Sequence, residues 1–344
     1  MRFGTFHLFS VGPWTNTYDV IENEINQVAS EEACGFDTVW VGEHNARRYG
    51  IVGNVLITVA ALARLTERIR IGTAVVRLPL HHPLHIAEDL AYLDTLTRGR
   101  LDFGVGKGYD PLEFATYGVP FDQREERWQE VFSTVLQIWE TGRTEHKGRF
   151  YEGADAEFFP ALLQRPALPV YVMVSRSDSS VVWAAEHLYP MHLGQGPSWD
   201  DVKHKMDLYA ETARSAGYAD EDIADALRRC WQLKQMHVST TTERAVAEYE
   251  DGLMWYFAEK NNRIMFGYSP DPQPYESYRD HQSVVLGSSE RVIDELGRYT
   301  EHTGIENVTC WFNCGSQPQG QVLSALSQFA SEVAPALRPV TVSR

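Results

Sequence analysis

The sequence predicts one (β/α)8 barrel, on three observations. Strand-like and helix-like segments alternate along most of the 344 residues, the pattern of parallel β/α units. The strand-like segments number eight, as a closed barrel requires. No linker or shift of composition divides the chain, so 1–344 reads as a single domain with insertions rather than two.

The elements follow in order. Arg2 to Phe9 is the first strand. Tyr18 to Ala33 has helical spacing, with Val20, Ile21, Ile25, Val28 and Ala29 on one face, and Gly35 supplies a left-handed stop. Thr38 to Glu43 is the second strand, Val55 to Leu65 a helix, Ile69 to Leu78 the third strand and His85 to Leu96 a helix. Leu101 to Val105 is the fourth strand, and Glu125 to Glu140 an amphipathic helix. Pro169 to Val174 and Pro190 to Leu193 are strands five and six, separated by a short helix over Ser179 to Glu186. A helix over Asp200 to Ala216 leads to strand seven, Trp231 to Val238, followed by a helix over Thr242 to Glu259. Ser289 to Tyr299 is helical, and Asn307 to Phe312 is the last strand. The long irregular pieces are Ala46–Asn54, Tyr109–Arg124, Glu145–Ala167 and Asn261–Ser283. Such insertions usually serve as walls and lids. The last carries three prolines in a short run and reads as mobile.

Bulk properties exclude several functions. A net charge of −16 argues against nucleic acid or an anionic membrane as partner, while leaving room for a local basic pocket. No apolar run reaches the roughly 20 residues of a membrane span, and the N-terminal stretch lacks a signal-peptide pattern. Cys34, Cys230, Cys310 and Cys314 form no C-x-x-C pair, and Cys310 and Cys314 read as buried thiols. His81 and His82, in "PLHHPLH", have no carboxylate or cysteine to complete a metal site, so no metal is expected. These features together predict a reduced, cytoplasmic protein.

The stretch Gly104-Val105-Gly106-Lys107-Gly108 looks like a nucleotide loop but fails both common patterns. A dinucleotide fingerprint needs G-x-G-x-x-G opening a helix in the first βαβ unit; here the spacing is G-x-G-x-G after the fourth strand. A P-loop needs Lys-Ser/Thr after its last glycine, and here the lysine precedes it. A glycine-rich strand end with one lysine at a barrel mouth suits an anionic group. A tight turn with a solvent-facing lysine is the competing reading.

Longer stretches move that balance. "GFDTVWVGEHN" (35–45), "IRIGTAVVRLPLHHPLHIAEDLAYLDTLTRGRLDFGVGKG" (69–108), "EFATYGVPF" (113–121), "PVYVMVSRSDSSVVWAA" (169–185) and "GSSERVIDELGRYTEHTGIENVTCWFN" (287–313) together resemble the bacterial luciferase family of flavin-dependent monooxygenases. The resemblance spans about 1–260 and 285–338, and it is most like the luciferase subunit that carries the active site. It implies a barrel that binds reduced FMN at its C-terminal mouth, takes that flavin from a separate reductase, and oxygenates a small organic substrate through a flavin hydroperoxide.

Residue by residue, the resemblance puts Lys107 where the family has an arginine at the flavin phosphate, with Tyr109 beside it. A lysine offers a point charge in place of a bidentate fork. Arg176, at a position acidic in luciferase, is read as a second cation. Ser177 and Ser180 match the hydroxyls that hold the phosphate, and they also open a helix, which is an anion site in its own right. Plain helix capping is the other use of these serines. Ala74 and Val75 fall beneath the flavin ring, Val75 replacing a smaller residue. Gly106 stands where luciferase has a cysteine, which implies open space there. His44, in "GEHN", matches an acid/base histidine, a role imidazole suits because it titrates near neutrality. Glu43 reads as an orienting carboxylate with a possible catalytic part.

Phe6, Phe114, Tyr117 and Trp255 are candidate pocket walls, with core packing as their alternative. Gln232 is expected to face the pocket, arguing against a purely aliphatic substrate. The region after Trp255 is shorter than the luciferase lid and unlike it, so oxygenation without light emission is expected. The competing functions are deazaflavin-dependent hydride transfer on the same barrel and flavin binding without catalysis. No NAD(P)H fingerprint occurs, in keeping with a borrowed reductant. Helices 55–65 and 85–96 are apolar beyond one stripe. In the family these helices pair the subunits, with Glu88 at the contact, so a homodimer is expected.

Overall fold

A computed structural model describes residues 1–338 and contains the closed barrel. The strands of three or more residues are β1 Arg2–His7, β2 Thr38–Val41, β3 Arg70–Thr73, β4 Leu101–Gly106, β5 Val170–Val174, β6 Met191–Leu193, β7 Trp231–Val238, β8 Val284–Gly287 and β9 Asn307–Trp311. All except β8 form the ring, each parallel to its neighbours, and β1 closes it between β2 (Gly4↔Thr38) and β9 (Gly4↔Thr309). The sequence reading did not find β8. Gln235 pairs with both Val284 and Trp311, so β8 continues the edge of β7 that the three-residue β6 leaves open.

Surrounding helices include α1 Thr17–Ala33, α2 Val55–Leu65, α3 Pro83–Leu96, α4 Pro111–Thr116, α5 Arg124–Thr141, α6 Asp178–Glu186, α7 Trp199–Ser215, α8 Asp220–Arg228, α9 Thr242–Tyr256, α10 Lys260–Met265, α11 Tyr275–Arg279 and α12 Ser289–Thr303. Asn16 caps α1, and Gly35 (φ +81°) ends it as expected. The inward face of α1 differs from the periodicity. Val20 and Val28 are buried, but Ile21 is exposed, and Glu24, Gln27 and Glu31 lie inside. They are drawn in by His7 on β1, whose ring contacts Glu24 (3.2 Å) and Glu31 (3.0 Å). Hydrophobic spacing cannot register a charge partner on another element. The Asn261–Ser283 insertion, expected to be mobile, holds α11 and most of α10. Its aromatic packing includes Phe257 stacked on Tyr278 at 4.5 Å.

The barrel interior is filled from below by large rings. Trp40 stacks on His192 (4.7 Å) and meets Trp231 edge-on (6.1 Å), with Tyr171 and Trp311 also inside. This packing dictates two glycines. A Cβ on Gly72 would lie 2.2 Å from the Trp40 ring, and one on Gly104 would lie 1.8 Å from the Thr73 carbonyl oxygen. Gly104, the first glycine of the suspected loop, therefore serves strand packing. With its floor sealed, the barrel opens only at the C-terminal ends of the strands. No helix among the described residues is long and apolar enough to cross a membrane, and all four cysteines are unpaired.

Candidate active site

A cavity of about 430 Å³ occupies the C-terminal mouth, within the size range of small-molecule sites. Its walls come from residues at or just beyond strand ends: Phe6 and Leu8 at β1, His44 after β2, Ala74 and Val75 after β3, Gly106 and Lys107 at β4. Leu233 and Trp311 complete the lower wall, while Tyr256, Met265 and Phe266 close the side beneath α10.

His44 belongs to a buried charge network. Its Nδ1 lies 2.8 Å from Glu113 Oε1, on the loop-borne α4, and that oxygen also accepts the Asn45 backbone N–H at 3.0 Å. Arg77 Nη1 donates to Glu113 Oε2 at 2.6 Å and its Nε to Glu43 Oε1 at 3.1 Å. Glu43 further accepts from His81 Nε2 (3.2 Å) and the Val55 backbone N–H (3.1 Å). Burial pushes both carboxyls up in pKa. For Glu113 the hydrogen bond and charge of His44, with Arg77, overcome that and hold it below its ordinary value. For Glu43, His81 and Arg77 do the same. The carboxylate that orients His44 is thus Glu113, while both Glu43 oxygens are committed to Arg77, His81 and the start of α2. With Nδ1 engaged by Glu113, Nε2 is the ring nitrogen of His44 left for chemistry.

Around Lys107 the cavity wall carries two cations, one carboxylate (Glu125) and a row of hydroxyls. Arg124, stacked over Phe121 at 4.1 Å, and Ser175, Ser177, Ser179 and Ser180 line the same space. Ser177 precedes α6, so the first N–H groups of that helix lie beside the serines. Asp178, an acid in that first turn, is bound to Lys205 Nζ at 2.9 Å, and that hydrogen bond holds its carboxyl below the ordinary range.

Val75 and Gly106 form a size-matched pair: a Cβ on Gly106 would come within 2.9 Å of Val75 Cγ2. The space expected from the glycine is therefore filled by valine.

Residues 1–306 match the family described as luciferase-like monooxygenase. The chain belongs to that family. Among its curated relatives, the alkanal monooxygenase alpha chain of Photorhabdus luminescens is 25% identical, covering 98% of each protein. The oxygenase component of the flavin-dependent trigonelline monooxygenase of Acinetobacter baylyi is 27% identical, covering 100% of this chain and 98% of the relative. Among solved structures, a Streptomyces bottropensis monooxygenase superposes with a TM-score of 0.87 at 21% identity, covering 98% of this chain and 100% of its own. The oxygenating constituent of 3,6-diketocamphane monooxygenase from Pseudomonas putida, in complex with FMN, superposes at 0.83 with 19% identity, covering 97% and 98%. An F420-dependent secondary alcohol dehydrogenase superposes at 0.74 with 20% identity, covering 98% and 99%. At these identities the structural likenesses speak for the fold.

In this luciferase-like chain the cavity gathers Phe6, Glu43, His44, Ala74, Val75, Gly106, Lys107, Tyr109, Ser177 and Ser180 from the sequence-predicted set. Five others lie outside its wall. Gln232 turns to the helix layer, where it meets Tyr299 and the Gly194 carbonyl. Strand alternation sends Leu233 into the cavity and its neighbour away. Arg176 is exposed and donates to the Ile264 carbonyl at 2.8 Å, tying the β5 loop to α10; Arg124 is the arginine that lines the cavity beside Lys107 instead. Phe114 is buried against Phe121 (5.2 Å) behind the Gly108 turn. Tyr117 is exposed and its hydroxyl accepts from Asn45 Nδ2 at 2.6 Å. Trp255 meets Trp14 at 6.5 Å.

Sequence reasoning missed Arg77, Glu113, Arg124, Gln195 and Tyr256. Gln195, 3% exposed at the mouth after β6, has a side-chain oxygen without a partner. Its signal was available, since a polar residue just past a barrel strand is a site candidate.

Proposed function

We propose that this chain is the oxygenase component of a two-component monooxygenase that takes reduced FMN from a separate reductase and oxygenates a small organic molecule with O2. The observation carrying the reading is that one cavity holds both an anion cradle and a carboxylate-oriented histidine. The cradle fits the cofactor: Lys107, Arg124, Ser177, Ser180 and the N-terminus of α6 would take the phosphate, and Ala74, Val75 and Gly106 would lie along the ring. Bound reduced flavin would supply the two electrons by which one oxygen atom enters the substrate and the other leaves as water.

The chain's own residues shape that chemistry. Nε2 of His44 holds or delivers a proton at the reacting centre, and Glu113 fixes the ring through Nδ1. Arg77 is a positioning residue that holds Glu113 charged and in place, and Glu43 in turn anchors Arg77 through its Nε. Phe6, Leu8, Leu233, Tyr256, Phe266 and Trp311 exclude water and favour an apolar substrate, while the unpartnered oxygen of Gln195 calls for one hydrogen-bond donor on the bound molecules. Exposed Ile57 and Leu65 on α2 and Tyr92 on α3 support a homodimer through those helices. A monomer by light scattering at micromolar concentration would count against it.

The deciding experiment is anaerobic titration with reduced FMN, then rapid mixing with oxygenated buffer under a stopped-flow spectrometer. An absorbance transient distinct from both the reduced and the oxidised flavin supports the monooxygenase. Tight binding of a reduced deazaflavin with substrate reduction in the absence of O2 would replace it with hydride transfer, the activity class of the similarly folded F420-dependent dehydrogenase. Flavin binding with neither behaviour would leave a binding protein.

A further inference from the structure

The anion cradle contains its own anion. Lys107 Nζ lies 2.7 Å from Glu125 Oε2, and both side chains line the cavity. The lysine is mostly shielded, lying 5.4 Å from the Trp128 ring centroid, whereas the Glu125 side chain is 48% exposed and its other oxygen accepts only a long bond from Gln129 Nε2 at 3.4 Å. Arg124, the residue before it, reaches the same space. A phosphate that uses Lys107 therefore meets a carboxylate already on that lysine. Two anions on one ammonium repel each other, so the carboxylate weakens the hold on a phosphate for as long as it stays. Glu125 also stands in the first turn of α5, where an acid favours the helix whether or not a ligand binds.

Resting on the flavin reading above, we propose that Glu125 is a built-in competitor for the cofactor phosphate: it neutralises Lys107 in the empty cavity, swings out when phosphate enters, and so keeps binding loose and exchange fast. A chain that borrows reduced flavin and returns it oxidised gains turnover from such a device. A mere helix-start acid would act on fold stability and be indifferent to phosphate.

The test compares wild type with Glu125→Gln in titrations with FMN, riboflavin and inorganic phosphate at one ionic strength. The first two are read by flavin fluorescence and the last by phosphorus NMR line width. FMN and inorganic phosphate should each bind about tenfold more tightly to the variant, the size expected when a half-exposed ion pair and its repulsion of a dianion are both removed. Riboflavin, which lacks the phosphate, should bind equally to both proteins. Equal FMN affinity in the two proteins, or an equal gain for riboflavin, overturns the competitor. If neither protein binds flavin while the phosphate gain persists, the competitor stands and the flavin reading falls.

Discussion

Gly106→Ala tests the floor of the cavity in a way the structure makes quantitative. The added Cβ would sit 2.9 Å from Val75 Cγ2, whereas ordinary contact begins at 3.4 Å, an overlap of about half an ångström. Valine is stiff at χ1 and cannot easily rotate the methyl aside. Overpacking of this kind costs about 1–3 kcal/mol. Gly106 does not have a left-handed backbone, so alanine recovers about 0.4–1 kcal/mol through the unfolded chain. The net expectation is a loss of about 1–2 kcal/mol. In Val75→Ala the obstructing methyls are gone, so adding Gly106→Ala there should stabilise by the same about 0.4–1 kcal/mol, giving a coupling equal to the overpacking cost, about 1–3 kcal/mol. Urea unfolding of the four proteins, followed by tryptophan fluorescence, measures it. Effects that add to within about 0.3 kcal/mol would refute the size-matched pair.

Three further outcomes are expected. His44→Ala should retain FMN yet lose about 10²–10⁴-fold in product formation, and full activity with flavin bound would remove His44 from the chemistry. Arg124→Ala should weaken FMN by about tenfold while sparing riboflavin, and Arg176→Ala should change neither; the reverse result would return Arg176 to the cradle. Stability should fall at both ends of the pH scale. Glu43 and Glu113 titrate below their ordinary values, so what they contribute is present above the ordinary carboxylate range and lost as pH falls through their folded values. Burial disfavours the charged ring of His7, but Glu31 and Glu24 outweigh it and raise the pKa to about 10; its contribution is full below the ordinary imidazole value and disappears as pH rises through about 10. Urea midpoints against pH measure both limbs, and His7→Gln should flatten the alkaline one.

How far the site was legible depended on sequence distance. His44, Lys107, Ser177 and Ser180 were reached through the family resemblance, and each stands at or just past the end of a strand, or in the helix turn that follows it, so their place at the mouth needed no long-range contact. Glu113 and Arg77 acquire their meaning only from each other and from His44, across separations of 36 and 69 residues. The same holds for His7 with Glu24 and Glu31, where a buried ion cluster overrode the apolar spacing of α1. Gln232 failed for a different reason. Its strand was found, but which of two alternate residues faces inward depends on register in the closed ring.

By itself the sequence determined the barrel and the order of nearly all its elements, because hydrophobic period and turn chemistry are local. It also determined the strand-end residues that ring the mouth, and the absence of a dinucleotide or P-loop pattern. Only the tertiary structure decided that Glu113 rather than Glu43 orients His44, that Arg124 rather than Arg176 lines the cavity beside Lys107, that Val75 fills the space above Gly106, and that Glu125 already occupies Lys107. Each of these is a contact between side chains on different elements, and its sign and partner are set by closure of the ring.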